Sequence, residues 1–564
     1  MKKILACICS LALLLGIAAG CAPKTGNDDD INDGGNIVID RTKLAQISPT
    51  VYDVDEIVTA EETQAGDVQS WQAQVFTSNG GNNDMPTENA VIHSPWHTLN
   101  INGKDVPVYT ARCGKSSHSF AWVDVVDHQD DFILEVKLTM HRSYAQCVVL
   151  PESRNVKPVL DGKTITSYLN SYGSFTYTFT TDPNAKVTDP TMTPLTIMVT
   201  KEEPLEIPIG YDVQYIEPGY HENDELEFTE EEMYYVFRPG LHEICSINVP
   251  ANSVLWLEKG AYLKCSDRLN NPDNPIMGYN TQTAIHMQDC ENPQVLGRGL
   301  LDMGNVLGGD GKYKHVVNAS RCESPVVKGL TIINANTWTM CFYNNDNALM
   351  ESNLLLGYRT YSDGLMMSEC RDSVGRYNFV RTGDDAIEFK GTGWGGAAVG
   401  SNCLYEYNDC WTDKGSGYCL TWESACDMEN MTFRNNSLGF AQPTWSSGNN
   451  ALDCRLGTDV ESRWGDVVFK NIEIYHVISP NVIITQMSGV GAILDNILFE
   501  NITVKSTELG VFAYTMTVSG NGTITNIQLK NYNFCGKVIT SADMEDETLI
   551  KFEGGAKKTE LTIS

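Results

Sequence analysis

A short β-rich unit recurs through the second half of the chain, and this repeat limits the folds open to it more than any other feature. Units such as VVKGLTIINAN, ALMESNLLLGY, SVGRYNFVRTG and VVFKNIEIYHV each place an apolar run beside Asn or Gly. Strands this short cannot form a domain singly, so each unit must stack on the next. Because no helical period accompanies them, we predict a right-handed parallel β-helix over residues 226–564. The recurring Asn residues are expected to stack as hydrogen-bonded ladders in its turns.

The preceding segment, residues 46–225, alternates apolar and polar residues in short runs. Asn102-Gly103 in HTLNINGKDVPVYT separates two such runs and indicates a hairpin. The runs FILEVKLTM, SFTYTFTT and PLTIMVTK continue the alternation without a helical stretch, so we predict a β-sandwich and an all-β chain. Capping of exposed strand edges at the end of the solenoid is its favoured role, and glycan binding is the alternative.

The amino terminus indicates export. Residues 1–20 combine a basic start with an apolar run too short to span a membrane comfortably, which is typical of a signal peptide. The end of that run, Ala18-Ala19-Gly20-Cys21, resembles the lipobox of bacterial lipoproteins, which implies cleavage before Cys21 and a lipid anchor on it. An ordinary secretory signal is the alternative. Residues 21–45 are polar and are predicted to form a flexible tether, placing the protein in the cell envelope, periplasmic or surface exposed.

Charge and cysteine spacing restrict the partners. The formal net charge of −32 argues against nucleic-acid binding, which requires Lys and Arg at phosphates. Beyond Cys7, Cys9 and Cys21, the remaining cysteines contain no C-x-x-C pair, so no metal site or cofactor is predicted. These thiols lie mostly in strand-like runs, where packing as small hydrophobes is favoured over disulfides. The protein is expected to act as a monomer.

Three carboxylates are candidates for catalysis. Asp363 in YSDG precedes Asp384 and Asp385 in GDDAI by 21 and 22 residues, about one coil of the predicted solenoid. Residues one coil apart become neighbours, so the three acids are expected to converge on one face. Hydrolysis of a glycosidic bond with inversion needs one carboxyl to protonate the leaving oxygen and another to activate water. Crowding raises the proton affinity of one acid, as a general acid requires.

The pattern SDG followed one coil later by GDDAI resembles the β-helical glycoside hydrolases of families 28 and 49, the polygalacturonase and dextranase clan. An amino-terminal sandwich before the helix is similar to the dextranase and isopullulanase arrangement of family 49. The resemblance implies that Asp384 is the general acid. It also implies that Asp363 and Asp385 hold and activate the attacking water.

Departures from the polygalacturonase pattern bear on the substrate. That family follows the acids with Gly-His-Gly and then an Arg-x-Lys pair for the uronate, whereas WTDKGSGYCLTWES contains no histidine and no R-I-K follows. A neutral polysaccharide is therefore predicted, and the family 49 resemblance implies an α-glucan such as dextran or a pullulan-like polymer. Candidate substrate-binding residues near the acids are Tyr361, Lys390, Trp394, Trp422 and Glu423, because sugar faces stack on aromatic rings and hydroxyls bond to charged groups.

Three alternatives remain open at this stage. One is a polygalacturonase-like pectin hydrolase. Another is a non-catalytic surface glycan-binding protein, which would have no use for clustered like charges. The third is a polysaccharide lyase, for which Arg381 beside the acids is the available basic residue.

Overall fold

A computed structural model describes residues 40–57, 91–113, 116–126, 131–221, 226, 228–265, 283–304, 315–359, 361–396, 399–441, 450–457, 461–478, 481–487, 492–507, 514–520 and 522–564. The predicted signal peptide, Cys21 and most of the predicted tether lie outside these ranges. Within them, no helix is both long enough and apolar enough to cross a membrane.

The amino-terminal unit consists of two sheets that share one apolar core. Its strands are β1 (Ile47–Pro49), β2 (Val91–His93), β3 (His97–Ile101), β4 (Lys104–Val106), β5 (Tyr109–Cys113), β6 (Ser116–Val125), β7 (Leu134–Met140), β8 (Gln146–Leu150), β9 (Val159–Asp161), β10 (Thr164–Leu169), β11 (Gly173–Thr180) and β12 (Leu195–Lys201). One sheet has the order β2-β5-β6-β12-β11-β8 with β1 on β6, and the other has the order β4-β3-β7-β10-β9. The pairing is antiparallel except between β6 and β12. Alternating apolar residues from both sheets fill the core between them.

The rest of the described chain is a parallel solenoid with three strand positions in each coil. The first position holds β13 (Asp212–Ile216), β15 (Met233–Phe237), β18 (Val254–Leu257), β21 (Gln294–Gly297), β24 (Val326–Lys328), β27 (Leu349–Glu351), β30 (Val374–Arg376) and β34 (Leu404–Glu406). The second holds β14 (Gly219–Tyr220), β16 (Gly240–Ile244), β19 (Ala261–Cys265), β22 (Leu300–Asp302), β25 (Thr331–Ile333), β28 (Leu354–Leu356), β31 (Phe379–Thr382) and β35 (Asp409–Thr412). Further along, the two positions merge into β38 (Thr432–Ala441), β40 (Arg463–Val477), β42 (Ile493–Thr507) and β44 (Thr523–Phe534).

The third position forms a separate sheet of eleven strands. It contains β17 (Ile247–Asn248), β20 (Ile285–Gln288), β23 (Val317–Ser320), β26 (Met340–Tyr343), β29 (Leu365–Ser368), β32 (Ile387–Gly391), β36 (Tyr418–Ser424), β39 (Leu452–Leu456), β41 (Asn481–Met487), β43 (Tyr514–Gly520) and β46 (Ile550–Glu553). The remaining strands are β33 (Val399–Ser401), β37 (Asp427–Glu429), β45 (Lys537–Val538) and β47 (Leu561–Ile563), and short 3-10 turns occur at Arg41–Lys43, Glu152–Arg154, Ser541–Glu545 and Lys558–Glu560.

Apolar stacking and Asn ladders hold the coils together. One continuous core runs inside the solenoid from Ile216 to Ile563. The predicted ladders are confirmed, because the Asn353 amide donates to Asn378 at 3.0 Å and the Asn378 amide donates to Asn408 at 2.9 Å, one coil apart each time. All 14 cysteines of the described chain are free thiols and 12 are buried, so the expectation that they pack as hydrophobes is confirmed.

Two predicted boundaries shift. The parallel sheet begins at Asp212, before the predicted start at residue 226, because β13 already pairs in parallel with β15. The predicted tether also ends earlier than residue 45, since Leu44 forms a bridge with Ile133 and Ala45 is buried. Both boundaries lie in short polar segments, which made them difficult to locate from the sequence.

The amino-terminal unit lies along the side of the solenoid, so the expectation that it caps the end is wrong. Strand β6 is buried at every position because its two faces pack against two different cores. Ala121 and Val123 face the core between the sheets, whereas Phe120 and Trp122 pack against second-position strands of the solenoid. The Trp122 indole donates to Thr331 Oγ1 at 2.8 Å across this interface.

Candidate active site

The three predicted acids lie in the turns that lead from second-position strands into third-position strands. β29 pairs with β32 in the register Leu365 to Ile387, which sets residue 363 beside residue 385 in adjacent coils. The Gly364 amide donates to the Asp385 carbonyl at 2.8 Å and fixes this alignment. Adjacent strands are about 4.8 Å apart, so the structure brings Asp363, Asp384 and Asp385 together as their spacing predicted.

Close backbone contact between these turns requires glycine. A Cβ on Gly415 would lie 2.1 Å from the Asp384 carbonyl carbon and 2.2 Å from the Asp385 nitrogen. A Cβ on Gly383 would lie 2.1 Å from the Arg359 carbonyl oxygen. The absence of side chains at these two positions therefore lets successive turns stack closely and present the acids on one surface.

Asp385 is held by two hydrogen-bond donors from the next coil. The Ser416 amide donates to its Oδ1 at 2.6 Å and the Thr421 hydroxyl donates to its Oδ2 at 3.0 Å. The side chain is 7% exposed. Donors to both oxygens fix the orientation of this carboxyl group.

Asp384 has a different environment although it is the next residue. It is only partly buried, and its carboxylate accepts a hydrogen bond from the Tyr361 backbone. Burial and the neighbouring Asp385 raise the pKa of Asp384 to about 7, against the opposing effect of Lys390. Two adjacent carboxyl groups with such different surroundings suit different roles at one site.

Asp363 is buried beside Lys390. The Lys390 ammonium lies 3.4 Å from its Oδ2, and its Oδ1 has no hydrogen-bond partner in the described part of the chain. Burial and the Glu388 carboxyl raise the pKa of Asp363 well above its usual value, although Lys390 opposes them. Asp363 therefore binds a proton more tightly than an exposed aspartate does.

Lys390 is the centre of the charge cluster. Its Nζ lies 3.3 Å from Glu388 Oε2 and 2.7 Å from Glu423 Oε2, in addition to Asp363, and 4.5 Å from the Trp338 ring centroid. Burial would lower the pKa of Lys390, but Glu388, Asp363 and Glu423 together raise it well above its usual value. Lys390 and Glu423, both predicted to bind substrate, are thus part of the site and pair with each other.

Sequence reasoning missed Glu388, which is fully buried in the middle of this cluster. Burial raises the pKa of Glu388 to about 8 against the effect of Lys390. The sequence did contain a signal that Glu388 belongs to the site. Glu388 and Lys390 alternate with the core residues Ile387 and Phe389 in one strand. They therefore face away from the core, one coil from the SDG turn.

Aromatic side chains lie on both sides of the acids. Trp394 is 64% exposed and stacks on Trp338 with ring centroids 5.4 Å apart, and Trp338 also contacts Lys390. Trp422 is 43% exposed on β36, with the Arg455 guanidinium 5.1 Å from its ring. Tyr361 is 42% exposed in the turn before Asp363. All three predicted aromatic binders therefore expose ring surface near the acids, and Trp338 is a further aromatic that the sequence reasoning missed.

Other charges near the acids are already paired. Arg381 is buried and directed away from the acids, bonding Asp413 at 2.7 Å and contacting His118 of the amino-terminal unit at 3.2 Å. It therefore does not serve as the base that a lyase would need. The next coil carries Asp453 and Arg455 as an ion pair at 2.6 Å.

One group in the described chain has ligand atoms spaced for a metal ion, namely Asp385, Glu388 and Cys419, all within 4.8 Å of one another. Its chemistry does not fit. Burial raises the pKa of the Cys419 thiol well above its usual value, which disfavours the thiolate that would bind a metal. The Lys390 ammonium also contacts Glu388, so we assign no metal to these residues.

Fold and site together define a parallel β-helix protein whose turns carry clustered carboxyl groups between exposed aromatic rings. Solved structures share the architecture at low identity. Dex49A from Penicillium minioluteum matches with a TM-score of 0.61 and 14% identity, over 86% of this chain and 97% of Dex49A. No protein-family profile matches the chain, and no curated protein matches it.

Weaker matches include two further β-helices. The polygalacturonase from Erwinia carotovora ssp. carotovora has a TM-score of 0.43 and 15% identity, over 65% of this chain and 99% of its own. The exopolygalacturonase from Thermotoga maritima has a TM-score of 0.40 and 14% identity, over 54% of this chain and 85% of its own. The match to Dex49A confirms the predicted β-helical fold.

Proposed function

We propose that this protein is a glycoside hydrolase that cleaves a neutral polysaccharide with inversion of configuration. The observation that carries the proposal is the contrast between Asp384 and Asp385. One is partly exposed with a pKa raised to about 7 by burial and by its neighbour, and the other accepts hydrogen bonds on both oxygens. Such a pair suits a general acid and a general base working together near neutral pH.

The reaction follows from these environments. Asp384 donates its proton to the glycosidic oxygen as the bond to the anomeric carbon breaks. A water held by Asp385 and Asp363 attacks that carbon from the opposite face, and Asp385 accepts the proton that the water loses. The products are two shorter sugars, and transfer of a proton from Asp385 to Asp384 through solvent restores the starting state.

A neutral substrate is supported by the pairing of the cations at the site. Lys390 is surrounded by three carboxyl groups and Arg455 pairs with Asp453, so neither offers a free positive charge to a uronate. The solenoid also contains no R-I-K, the Arg-x-Lys pair of the polygalacturonase pattern. Together with the resemblance to family 49, this favours an α-glucan such as dextran.

Substrate binding is proposed to use the exposed rings and the partly exposed Glu423. Tyr361, Trp394 and Trp422 stack on sugar faces, and Glu423, held by the buried Lys390 at 2.7 Å, bonds to sugar hydroxyls. The rings lie on strands or turns of different coils, so a glycan that contacts all of them crosses the three acids.

Reducing-sugar release from dextran, pullulan, polygalacturonate and an agar-type galactan tests the proposal. Release from a neutral glucan, with the product anomer inverted, is the expected result. Activity on polygalacturonate alone would retain the acids and overturn the substrate. Binding to a glycan without any cleavage would favour a non-catalytic surface protein.

We further propose that the mature chain is a monomer anchored to the cell envelope by lipid on Cys21. The small residues before that cysteine in the sequence support this. Metabolic labelling with a tagged fatty acid should mark the wild type and not Cys21→Ala. Label on both proteins, or on neither, would contradict the anchor.

A further inference from the structure

Two buried carboxyl groups, Asp363 and Glu388, contact Lys390, and the mechanism uses only Asp363. Glu388 is 0% exposed and Asp363 is 4% exposed. Lys390 bridges them, at 3.3 Å from Glu388 Oε2 and 3.4 Å from Asp363 Oδ2. A single ammonium between two buried carboxyls cannot neutralise both.

The hydrogen-bond pattern indicates that a proton is needed. Asp363 Oδ1 and Glu388 Oε1 are both buried and neither meets a donor in the described part of the chain, while the two carboxyl groups lie within hydrogen-bond reach of each other. Buried polar atoms are nearly always satisfied, and two unsatisfied acceptor oxygens are most simply satisfied when one carboxyl is protonated and can donate. A further hydroxyl close to the pair is that of Thr421, 3.4 Å from Glu388 Oε2.

The surrounding charges lead to the same conclusion. The titratable groups that face the pair are Lys390 on the same strand, Asp384 and Asp385 in the preceding turn, Cys341 and Tyr343 on β26, Tyr405 on β34, and Cys419 and Glu423 on β36. Burial raises the pKa of both thiols and of both tyrosines well above their usual values, which keeps these four groups neutral. With Lys390 also shared by Glu423, ionising both Asp363 and Glu388 would leave an uncompensated buried charge.

We propose that Glu388 is a positioning residue that shares one proton with Asp363 across Lys390, so that the pair holds the attacking water through hydrogen bonds while Asp385 alone acts as the base. The positioning role of Glu388 depends on the proposed hydrolase function. The shared proton does not, because it is a property of the protein without substrate. Two raised pKa values agree with a shared proton. Burial and Glu388 raise the pKa of Asp363, and burial raises the pKa of Glu388 to about 8.

Proton counting tests the inference without any substrate. Potentiometric titration of the folded protein at pH 7 compares wild type with Glu388→Gln, Asp363→Asn and the double variant. Each single variant should hold one proton fewer than the wild type, and the double variant should also hold only one fewer, because all three lose the same proton. No loss in the single variants, or a loss of two in the double variant, would overturn the proposal.

A matched control and a kinetic readout complete the test. Asp372→Asn, an exposed turn aspartate outside the cluster, is the control, and its proton count should show no loss from the pair. With a glycan that the protein cleaves, the pH profile of the wild-type rate should show the loss of two protons above pH 7. The pH profile of the Glu388→Gln rate should show the loss of one proton. An unchanged slope in Glu388→Gln would also contradict the proposal. Absence of cleavage in all proteins would reject the hydrolase function. The proton count would still test the shared proton independently.

Discussion

At the residue scale, the site depends on giving chemically identical carboxyls different surroundings. Asp384 and Asp385 are neighbours in sequence, yet only Asp385 accepts hydrogen bonds from the coil that follows. The spacing from SDG to GDD predicted which acids meet, because solenoid geometry turns one coil of sequence into adjacency. Spacing cannot predict that Glu388 and Lys390 are buried together, since that depends on what covers the strand.

The raised pKa of Asp384 predicts an alkaline limit on the rate. A general acid must carry its proton, so the rate on a cleaved glycan should fall as pH rises through about 7, where burial and Asp385 place the pKa of Asp384. The measurement is kcat/KM against pH. A rate that keeps rising beyond pH 8 would contradict the assignment of Asp384 as the acid.

The same raised pKa predicts a stability change. A carboxyl whose pKa is higher in the folded than in the unfolded protein stabilises the fold below its unfolded pKa, and this contribution is lost as pH rises through about 7. Asp384→Asn should therefore be more stable than wild type at pH 8, by on the order of 2 to 4 kcal/mol, and similar to it below pH 4. Denaturant unfolding at both pH values measures this. Asp372→Asn, in an exposed turn of the solenoid, is the control and should show no such pH dependence.

The exposed ring of Trp394 predicts an effect on binding alone. Loss of one stacking surface is worth about 0.5 to 1.5 kcal/mol, so Trp394→Ala should raise KM about 2- to 12-fold with kcat nearly unchanged. Tyr215→Ala, an exposed aromatic of the first coil, is the control and should leave KM unchanged. Equal kinetics in both variants would remove Trp394 from the binding surface.

At the element scale, the turns that carry the acids work because successive coils approach closely. The short strands and turn residues in the sequence predicted stacked coils and Asn ladders. They did not predict where the solenoid starts, because the polar pair β13 and β14 is recognisable only through its pairing with the next coil. Nor did they show that Arg381 pairs with Asp413 behind the acids, since both belong to an interface with a distant part of the chain.

Gly415→Ala tests the close approach of the turns. The added Cβ would meet the Asp384 carbonyl carbon at 2.1 Å, so the peptide between Asp384 and Asp385 must move. Overpacking of this kind costs about 1 to 3 kcal/mol, and we expect kcat to fall at least 100-fold because the acids are displaced. Gly439→Ala is the control, since its nearest contact is the Leu150 side chain at 3.3 Å. Full activity in Gly415→Ala would show that the turn does not set the acid geometry.

At the scale of the whole molecule, the amino-terminal unit and the solenoid share an interface that contains ion pairs as well as apolar contacts. Asp124 of β6 is 1% exposed and binds Arg298 at 3.0 Å and Lys259 at 2.8 Å. The alternation of apolar and polar residues predicted strands in both units. Strand β6, however, is buried on both faces, one against each core, so its sequence does not show that one face contacts the solenoid. Lateral docking was therefore beyond what the pattern could show.

Asp124→Asn should disrupt this docking. It leaves the buried Arg298 charge without its carboxylate partner, which costs about 3 to 5 kcal/mol, whereas Lys259 is partly exposed and keeps Glu202 at 3.3 Å. Guanidinium unfolding should show that loss, or a separate early transition of one unit. Asp161→Asn, exposed on β9, should unfold as wild type does. Wild-type stability in Asp124→Asn would mean that the ion pairs do not hold the units together.

The most direct test of the central claim is the hydrolysis rate of Asp384→Asn on the glycan that the wild type cleaves best. Asparagine matches the carboxyl in shape but cannot donate the acid proton, so the variant should lose at least 100-fold in kcat while still binding the glycan. Asp372→Asn, an exposed turn aspartate of the same solenoid, should retain the wild-type rate. Cleavage by Asp384→Asn at the wild-type rate would contradict the proposed mechanism.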